Sequence, residues 1–247
     1  MKEMIKQQYW EKRAGRYSGF KWANDQQYLD LFVFHGDFKK DDCVLDVGIG
    51  TGLVARAVSP LVSKVVGIDT SLDMLAQCQS NGNIYLIYCD VRETRFQDVT
   101  FDKITVRNVF HHITEDTQKA MNECYKLLKE NGRIIVGERV SPSDGVKKEY
   151  SEIFKIKDDR VIFIEEDLVH IMAKAGFRHV AIYSHWISDI SVRGWLENSD
   201  LPKDKQDKIF GLHINGSDAL KRAYNMRAMN GDCIIDIKNI IIIGEKG

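Results

Sequence analysis

Val44-Leu45-Asp46-Val47-Gly48-Ile49-Gly50-Thr51-Gly52, followed by Val65-Val66-Gly67-Ile68-Asp69, is the stretch whose reading decides the fold. The first run is a buried strand entering a glycine-rich turn that opens a helix. The second is the next parallel strand, ending in an acid. Glycines let a backbone approach a ligand closely, and an acid at the end of the second strand accepts hydrogen bonds from ribose hydroxyls. Together they lay out a nucleotide-type cofactor site.

The order of residues in the turn selects the cofactor. A dinucleotide site uses G-x-G-x-x-G with a pyrophosphate on the helix N-terminus. Here Gly48, Gly50 and Gly52 make G-x-G-x-G, and Leu53 stands where the third dinucleotide glycine belongs. Asp46 lies two residues before the first glycine, and its carboxylate would repel a pyrophosphate. It suits a ligand with positive charge. S-adenosylmethionine (SAM) carries an ammonium, a sulfonium, a ribose and an adenine, and no phosphate.

Five blocks carry a family resemblance: LDVGIGTG (45–52), GIDTSLDML (67–75), YCDV (88–91), FDKITVRNVFHHI (101–113) and NGRIIVGE (131–138). In this order and spacing the chain resembles the class I SAM-dependent methyltransferases, within them the small-molecule branch of the ubiquinone and menaquinone C-methyltransferases. The likeness is firm over roughly residues 40–140 and looser beyond.

Composition narrows the class. The chain has 247 residues, enough for one sizeable core. Its 44% hydrophobic and 29% charged content is that of an ordinary globular protein. The net charge of −1 argues against a nucleic-acid partner held by phosphate contacts. Cys43, Cys78, Cys89, Cys124 and Cys233 are odd in number and scattered, so neither a disulfide framework nor a zinc site is expected. The N-terminus has no apolar signal core and no apolar run approaches a membrane span, so the expected location is the cytoplasm.

The elements alternate. Strands are expected at 43–47, 64–68, 84–89, 103–106 and 133–140, with helices from Thr51, from a Thr70 cap, and from a Thr114 cap to Glu130. That alternation means a doubly wound, mostly parallel Rossmann-like sheet. The expected order is 3-2-1-4-5-7-6 over seven strands, with strand seven antiparallel. Residues 141–157 read as polar and irregular, with a helix over 165–175 to follow. Strand six is expected at 180–186 and strand seven at 236–244. Between them lie helical patterns at 192–198, 205–212 and 218–226. The whole chain is expected to be one domain. Residues 1–36 would close the site, and 141–164 and 189–235 would form a substrate lid over the strand ends.

Site residues follow from these positions. Gly48, Gly50, Thr51 and Gly52 would pass close to the methionine part of SAM, and Asp46 would bind its ammonium or cap the turn. Asp69, next to Thr70, would accept the ribose hydroxyls or cap the following helix. Met74 would pack on adenine or simply in the core. The resemblance adds Asp90 and the Val91 amide toward adenine, and the Arg107-Asn108 segment toward the methionine part. It also adds Tyr9, beside Trp10, as an aromatic element closing over SAM. His111 or His112 is the expected general base, because histidine takes a proton near neutral pH. Adjacent residues cannot both face one pocket, so one of the two would be structural. Glu138 would act as a base or pair with an arginine. Arg139, Trp186, Trp195, His213, Tyr224 and Arg227 would contact substrate, or instead build the core and surface of the insertion. No metal is expected.

The expected reaction is in-line transfer of a methyl group to an O, N or C atom of a small-molecule acceptor. Holding the acceptor in line at ~3–3.5 Å supplies roughly 7–11 kcal/mol. The competing readings are an NAD-dependent oxidoreductase and a non-catalytic SAM-binding protein.

Overall fold

The computed structural model describes residues 23–80 and 82–247. The aromatic element expected to close over SAM, Tyr9 beside Trp10, lies outside the described residues. The first described helix, α1 (Gln26–Gly36), starts at an Asp25 cap whose carboxylate accepts from the Tyr28 amide at 2.7 Å. Next come β1 (Cys43–Val47), α2 (Leu53–Val58), β2 (Lys64–Asp69), α3 (Leu72–Gln77), β3 (Ile84–Tyr88) and β4 (Phe101–Arg107). Beyond β4 lie α4 (Thr117–Leu127), β5 (Leu128–Arg139), α5 (Lys147–Lys157), α6 (Glu165–Ala175) and β6 (Arg178–Ser191). The chain then forms α7 (Val192–Glu197), α8 (Lys203–Ile214), α9 (Asp218–Ala223), β7 (Arg227–Met229) and β8 (Asp232–Glu245).

The sheet runs β3-β2-β1-β4-β5-β8-β6. β8 is antiparallel to both neighbours. This is the expected order, with the last strand as the antiparallel one. Among the described residues the sheet has eight strands rather than seven, because β7 adds a short hairpin to the edge of β8. The central strands read as near-continuous apolar runs because both sheet faces are covered. On one face α4 and α6 bring Met121, Leu127, Leu168 and Met172 onto Val47, Ile104 and Val136. On the other, α1 and α2 bring Tyr28, Phe32, Val54 and Val58 onto Val44, Val65 and Ile135. Gly137 permits the approach of α1, since a Cβ there would stand 2.4 Å from the Tyr28 hydroxyl. That hydroxyl donates to the Ile240 carbonyl at 3.0 Å.

β6 and β8 run past the last residue of β5. Arg139 pairs with Asn239, and beyond it Ile187 pairs with Ile237 and Ile190 with Ile235. This two-stranded extension rises over the carboxyl end of the sheet. α5, α7, α8 and α9 pack on it in a third core that includes Tyr150, Ile153, Phe154, Leu196, Ile209, Leu220 and Tyr224.

Several sequence expectations are corrected locally. Residues 147–157, expected to be irregular, form α5, whose Tyr150, Ile153 and Phe154 are buried on one face. Ser71, not Thr70, caps α3: its hydroxyl accepts from the Met74 amide at 3.2 Å. α4 begins at Thr117, not at a Thr114 cap, and ends at Leu127, because β5 already starts at Leu128. Among the described residues, no helix is long and apolar enough to cross a membrane.

Candidate functional site

The carboxyl ends of β1, β2, β3 and β4 surround a cavity of about 390 Å³. Gly48, Gly50 and Gly52 all take the left-handed conformation, at φ of 64°, 53° and 80°. The turn is anchored to β2: the Ile49 amide donates to the Ile68 carbonyl at 3.0 Å, and the Gly50 amide to Asp69 Oδ2 at 2.9 Å. Asp69 Oδ1 accepts from the Ser71 amide at 2.8 Å. Each Asp69 oxygen retains a lone pair for a further donor. Burial raises the Asp69 carboxyl above its ordinary range, and the two amides offset part of that.

Asp46 lies at the floor of the cavity, 2% exposed. Its Oδ1 accepts from the Thr105 hydroxyl at 2.7 Å. Its Oδ2 is buried with no hydrogen-bond partner, and so is Thr51 Oγ1. Burial pushes the Asp46 carboxyl up to about 7, and the Thr105 hydroxyl offsets part of the rise. Two orphaned buried oxygens facing one cavity are uncommon in a folded protein, where such groups are ordinarily paired. A cationic, hydroxyl-bearing ligand fits that donor deficit.

Thr70, Met74, Asp90, Val91, Arg107 and Asn108 line the same cavity. Gly52 does not. It caps α2, and a Cβ there would meet Cys78 Sγ at 2.6 Å. Asp90 pairs with Arg92 at 2.6 Å. Burial would raise its carboxyl, but Arg92 more than offsets this and holds it low. Arg107 donates to the Ala23 carbonyl at 2.8 Å, and its guanidinium lies over the Tyr28 ring at 5.3 Å. The apolar liners Ile68, Tyr88, Val109 and Ile113 were not singled out from sequence. They look like core positions there, and only the curvature of the strand ends makes them walls.

The histidines divide as the turn requires. Phe110–His112 is a single 3-10 turn after β4, and His112 lines the cavity while His111 does not. His111 and Glu138, expected in catalytic roles, instead form a buried pair, with Nδ1 at 2.6 Å from Oε2. Glu138 Oε1 also accepts from the Phe110 amide at 2.7 Å. Glu138 is fully buried, and its carboxyl is pushed up to about 8. The pair braces the turn from behind rather than opening to the cavity. Burial drives both histidines well below their ordinary range, so both are neutral near pH 7.

The expected substrate residues do not line this cavity. Trp186 is 41% exposed on β6. Arg227 is held at the β7–β8 hairpin by Asp236 at 2.7 Å and Asp189 at 2.9 Å. Trp195, His213 and Tyr224 belong to the core of the insertion, where His213 Nδ1 donates to the Ile209 carbonyl at 2.9 Å. Arg139 does not line it either; it ends β5, paired with Asn239 of β8.

Comparison with known proteins agrees with this geometry. Residues 45–136 match the family model described as a methyltransferase domain. The chain is 27% identical to the uncharacterized methyltransferase YcgJ of Bacillus subtilis strain 168, over 95% of this chain and 96% of that protein. The crystal structure of YcgJ has a TM-score of 0.80 at 24% identity, covering 90% of this chain and 98% of that one. Phosphoethanolamine N-methyltransferase 2 of Haemonchus contortus was solved with phosphomonomethylethanolamine and S-adenosylhomocysteine. It has a TM-score of 0.64 at 20% identity, over 90% of this chain and 52% of that one. With the sheet order and the glycine cradle, these likenesses support a class I SAM-dependent methyltransferase, its methyltransferase domain matched over residues 45–136.

Proposed function

We propose that this methyltransferase transfers the methyl group of SAM to an O, N or C atom of a small-molecule acceptor. The observation that carries the reading is the pair of orphaned oxygens, Asp46 Oδ2 and Thr51 Oγ1, in the wall of one cavity with Asp69 and the glycine turn. SAM supplies an activated methyl group when bound. The chain's own residues then orient and desolvate. Asp46 holds the ammonium, and Asp69 accepts the ribose hydroxyls. Met74, Asp90 and the Val91 amide take the adenine, and the Gly48–Thr51 backbone with Asn108 takes the methionine part.

His112 is the candidate general base. It is the one histidine of the pair at the cavity wall, and burial keeps it in the neutral form that a base requires. A base of this kind contributes typically ~10²–10⁴-fold for a hydroxyl or ammonium acceptor. The 189–235 insertion, on the extension of β6 and β8, serves as the acceptor side of the site. The chain's balanced charge does not favour a nucleic-acid acceptor.

Calorimetric titration with SAM, S-adenosylhomocysteine and NAD tests the cofactor half, with Asp69→Ala alongside. Binding of the first two, lost in the variant, and no binding of NAD is the expected result. Transfer of labelled methyl from SAM onto a metabolite extract tests turnover. Cofactor binding without any labelled product would favour the non-catalytic alternative.

A further inference from the structure

The two edges of the sheet are built differently. β6 pairs with β8 through two register irregularities, carries Arg178 and Asp189, and takes left-handed conformations at His179 and Asp189. Bulges and charges of this kind blunt an edge against further pairing. β3, at the opposite edge, has none of these devices. Its register with β2 is unbroken from Ile84 to Tyr88. Its sequence, Ile84-Tyr85-Leu86-Ile87-Tyr88, holds no charge, proline or glycine.

One face of β3 is bare as well. Strands of a parallel sheet are ordinarily covered on both faces by their crossover helices. The crossover from β3 to β4, residues 89–100, forms no helix. Ile84 and Leu86 face the core that includes Val65 and Leu75. Tyr85 and Ile87 lie in register with Val66 and Ile68 on the opposite face, where they are 53% and 39% exposed.

The backbone dictates how this edge can be used. The Asn83 carbonyl accepts from the Val65 amide at 3.0 Å, and the Cys89 amide donates to the Asp69 carbonyl at 3.0 Å, so both ends face β2. Peptide direction alternates along a strand. Tyr85 and Ile87 therefore bond toward β2, while Ile84, Leu86 and Tyr88 turn their N–H and C=O groups outward. A second β3, antiparallel about a twofold axis through Leu86, answers that pattern. It sets Leu86 opposite Leu86 and Ile84 opposite Tyr88 as hydrogen-bonded pairs, which uses every outward group. Tyr85 then stands opposite Ile87 of the second copy in a non-hydrogen-bonded pair, where side chains come closest. Aromatic and β-branched residues are favourable partners in that position. No like charges meet across the axis, and a net charge of −1 per chain opposes association of two copies only weakly.

We propose that β3 is a self-association edge: two copies of this chain pair their β3 strands antiparallel about a twofold axis through Leu86. Tyr85 and Ile87 of both copies then cover the face that the crossover leaves open. Such an interface is isologous and closes as a dimer, with one sheet running through both protomers.

Sedimentation velocity across a concentration series tests it. The mass should rise from 28.4 kDa toward twice that value, with a Kd on the order of 10–100 µM for an interface at the small end of the range. Deuterium exchange at the Ile84, Leu86 and Tyr88 amides should slow as the dimer forms. A charge-swap pair tests the register. The double variant Tyr85→Lys with Ile87→Lys, and the double variant Tyr85→Glu with Ile87→Glu, should each stay monomeric at low salt, because like charges face across the axis. Mixed one to one they should dimerise again, since each ammonium then faces a carboxylate. Met229→Lys, on the β7 hairpin, should dimerise like the unmodified protein. Thermal melts confirm that the variants fold, and if either double variant does not, the exchange pattern of the unmodified protein decides. A monomer at all concentrations leaves the strand to a chain of another kind and overturns the proposal. So does a dimer that persists in both double variants, or one whose β3 amides gain no protection.

Discussion

Cofactor affinity should depend steeply on pH through Asp46. Its carboxyl is pushed up to about 7 by burial, against 3.8 in an unfolded chain. The sign follows from that order. The folded state disfavours the carboxylate, so this group costs nothing below pH ~4, and its cost grows until it is complete above pH ~7. A shift of about three units corresponds to roughly 4 kcal/mol. A bound ammonium recovers part of it, because it gives Asp46 Oδ2 the partner it lacks. Only the ionised fraction of the empty protein is ready for that ligand. The fraction is about one half at pH 7 and about one hundredth at pH 5, so S-adenosylhomocysteine affinity should fall about fiftyfold between them. The ligand's own amino group stays charged in this window, since α-amino groups titrate near ~7.7–8.0. Calorimetry in two buffers of different ionisation enthalpy would also count the proton released, approaching one per ligand near pH 5. Asp46→Asn keeps an acceptor for Thr105 and should bind weakly with a nearly flat pH profile. Asp69 is also raised, and the Asn variant separates its contribution from that of Asp46. A flat profile in the unmodified protein, or a slope that survives in Asp46→Asn, would refute the reasoning.

The glycine turn should separate binding from stability. A Cβ at Gly50 meets no protein atom closer than 3.8 Å, so Gly50→Ala should cost only the left-handed strain, ~1 kcal/mol or about 2–4 °C in a thermal melt. It should nonetheless weaken S-adenosylhomocysteine at least tenfold by calorimetry, because the added methyl takes cavity space. Gly52→Ala adds a clash with Cys78 Sγ to the same strain and should cost a further ~1–3 kcal/mol. Glu138→Ala strands the Phe110 amide and His111 and should cost about 3 kcal/mol or more, lowering the melting temperature by roughly 6–12 °C. Glu138→Gln keeps an acceptor for the amide and should cost about half as much. His112→Gln should leave S-adenosylhomocysteine affinity within about threefold and reduce labelled methyl transfer by ~10²–10⁴-fold.

The cofactor half of the site was legible because its signals are local. A strand, a turn with three left-handed glycines and an acid ending the next strand occupy residues 44–69, and nothing distant is needed to recognise them. Parallel neighbours with both faces covered made the strands continuous apolar runs, and the resemblance supplied their order in the sheet. The boundaries that slipped are those where two neighbouring side chains can do the same work. Thr70 and Ser71 both offer a cap, and Asp69 decided for Ser71 by binding its amide.

The acceptor half was illegible because none of it is local. Trp195, His213 and Tyr224 look like pocket residues in sequence, yet the extension of β6 and β8 gives the insertion a core of its own, and those rings fill it. Lys157-Asp158-Asp159-Arg160 reads as a solvated charge run, since nothing in the string shows that Asp158 will be shared by two buried cations. Its position depends on α5, which was read as irregular, and on the Val161 bond to His111, which joins residues fifty apart. Glu138 failed in the opposite direction. An acid at the carboxyl end of a central strand is a natural candidate for chemistry, but this one is turned to the Phe110 amide and His111. Its burial removes it from the acceptor and makes it the brace that sets His112 at the cavity wall. The same strand end thus separates two roles: Glu138 braces the histidine turn from behind, and Arg139, one residue on, closes the strand against Asn239 of β8.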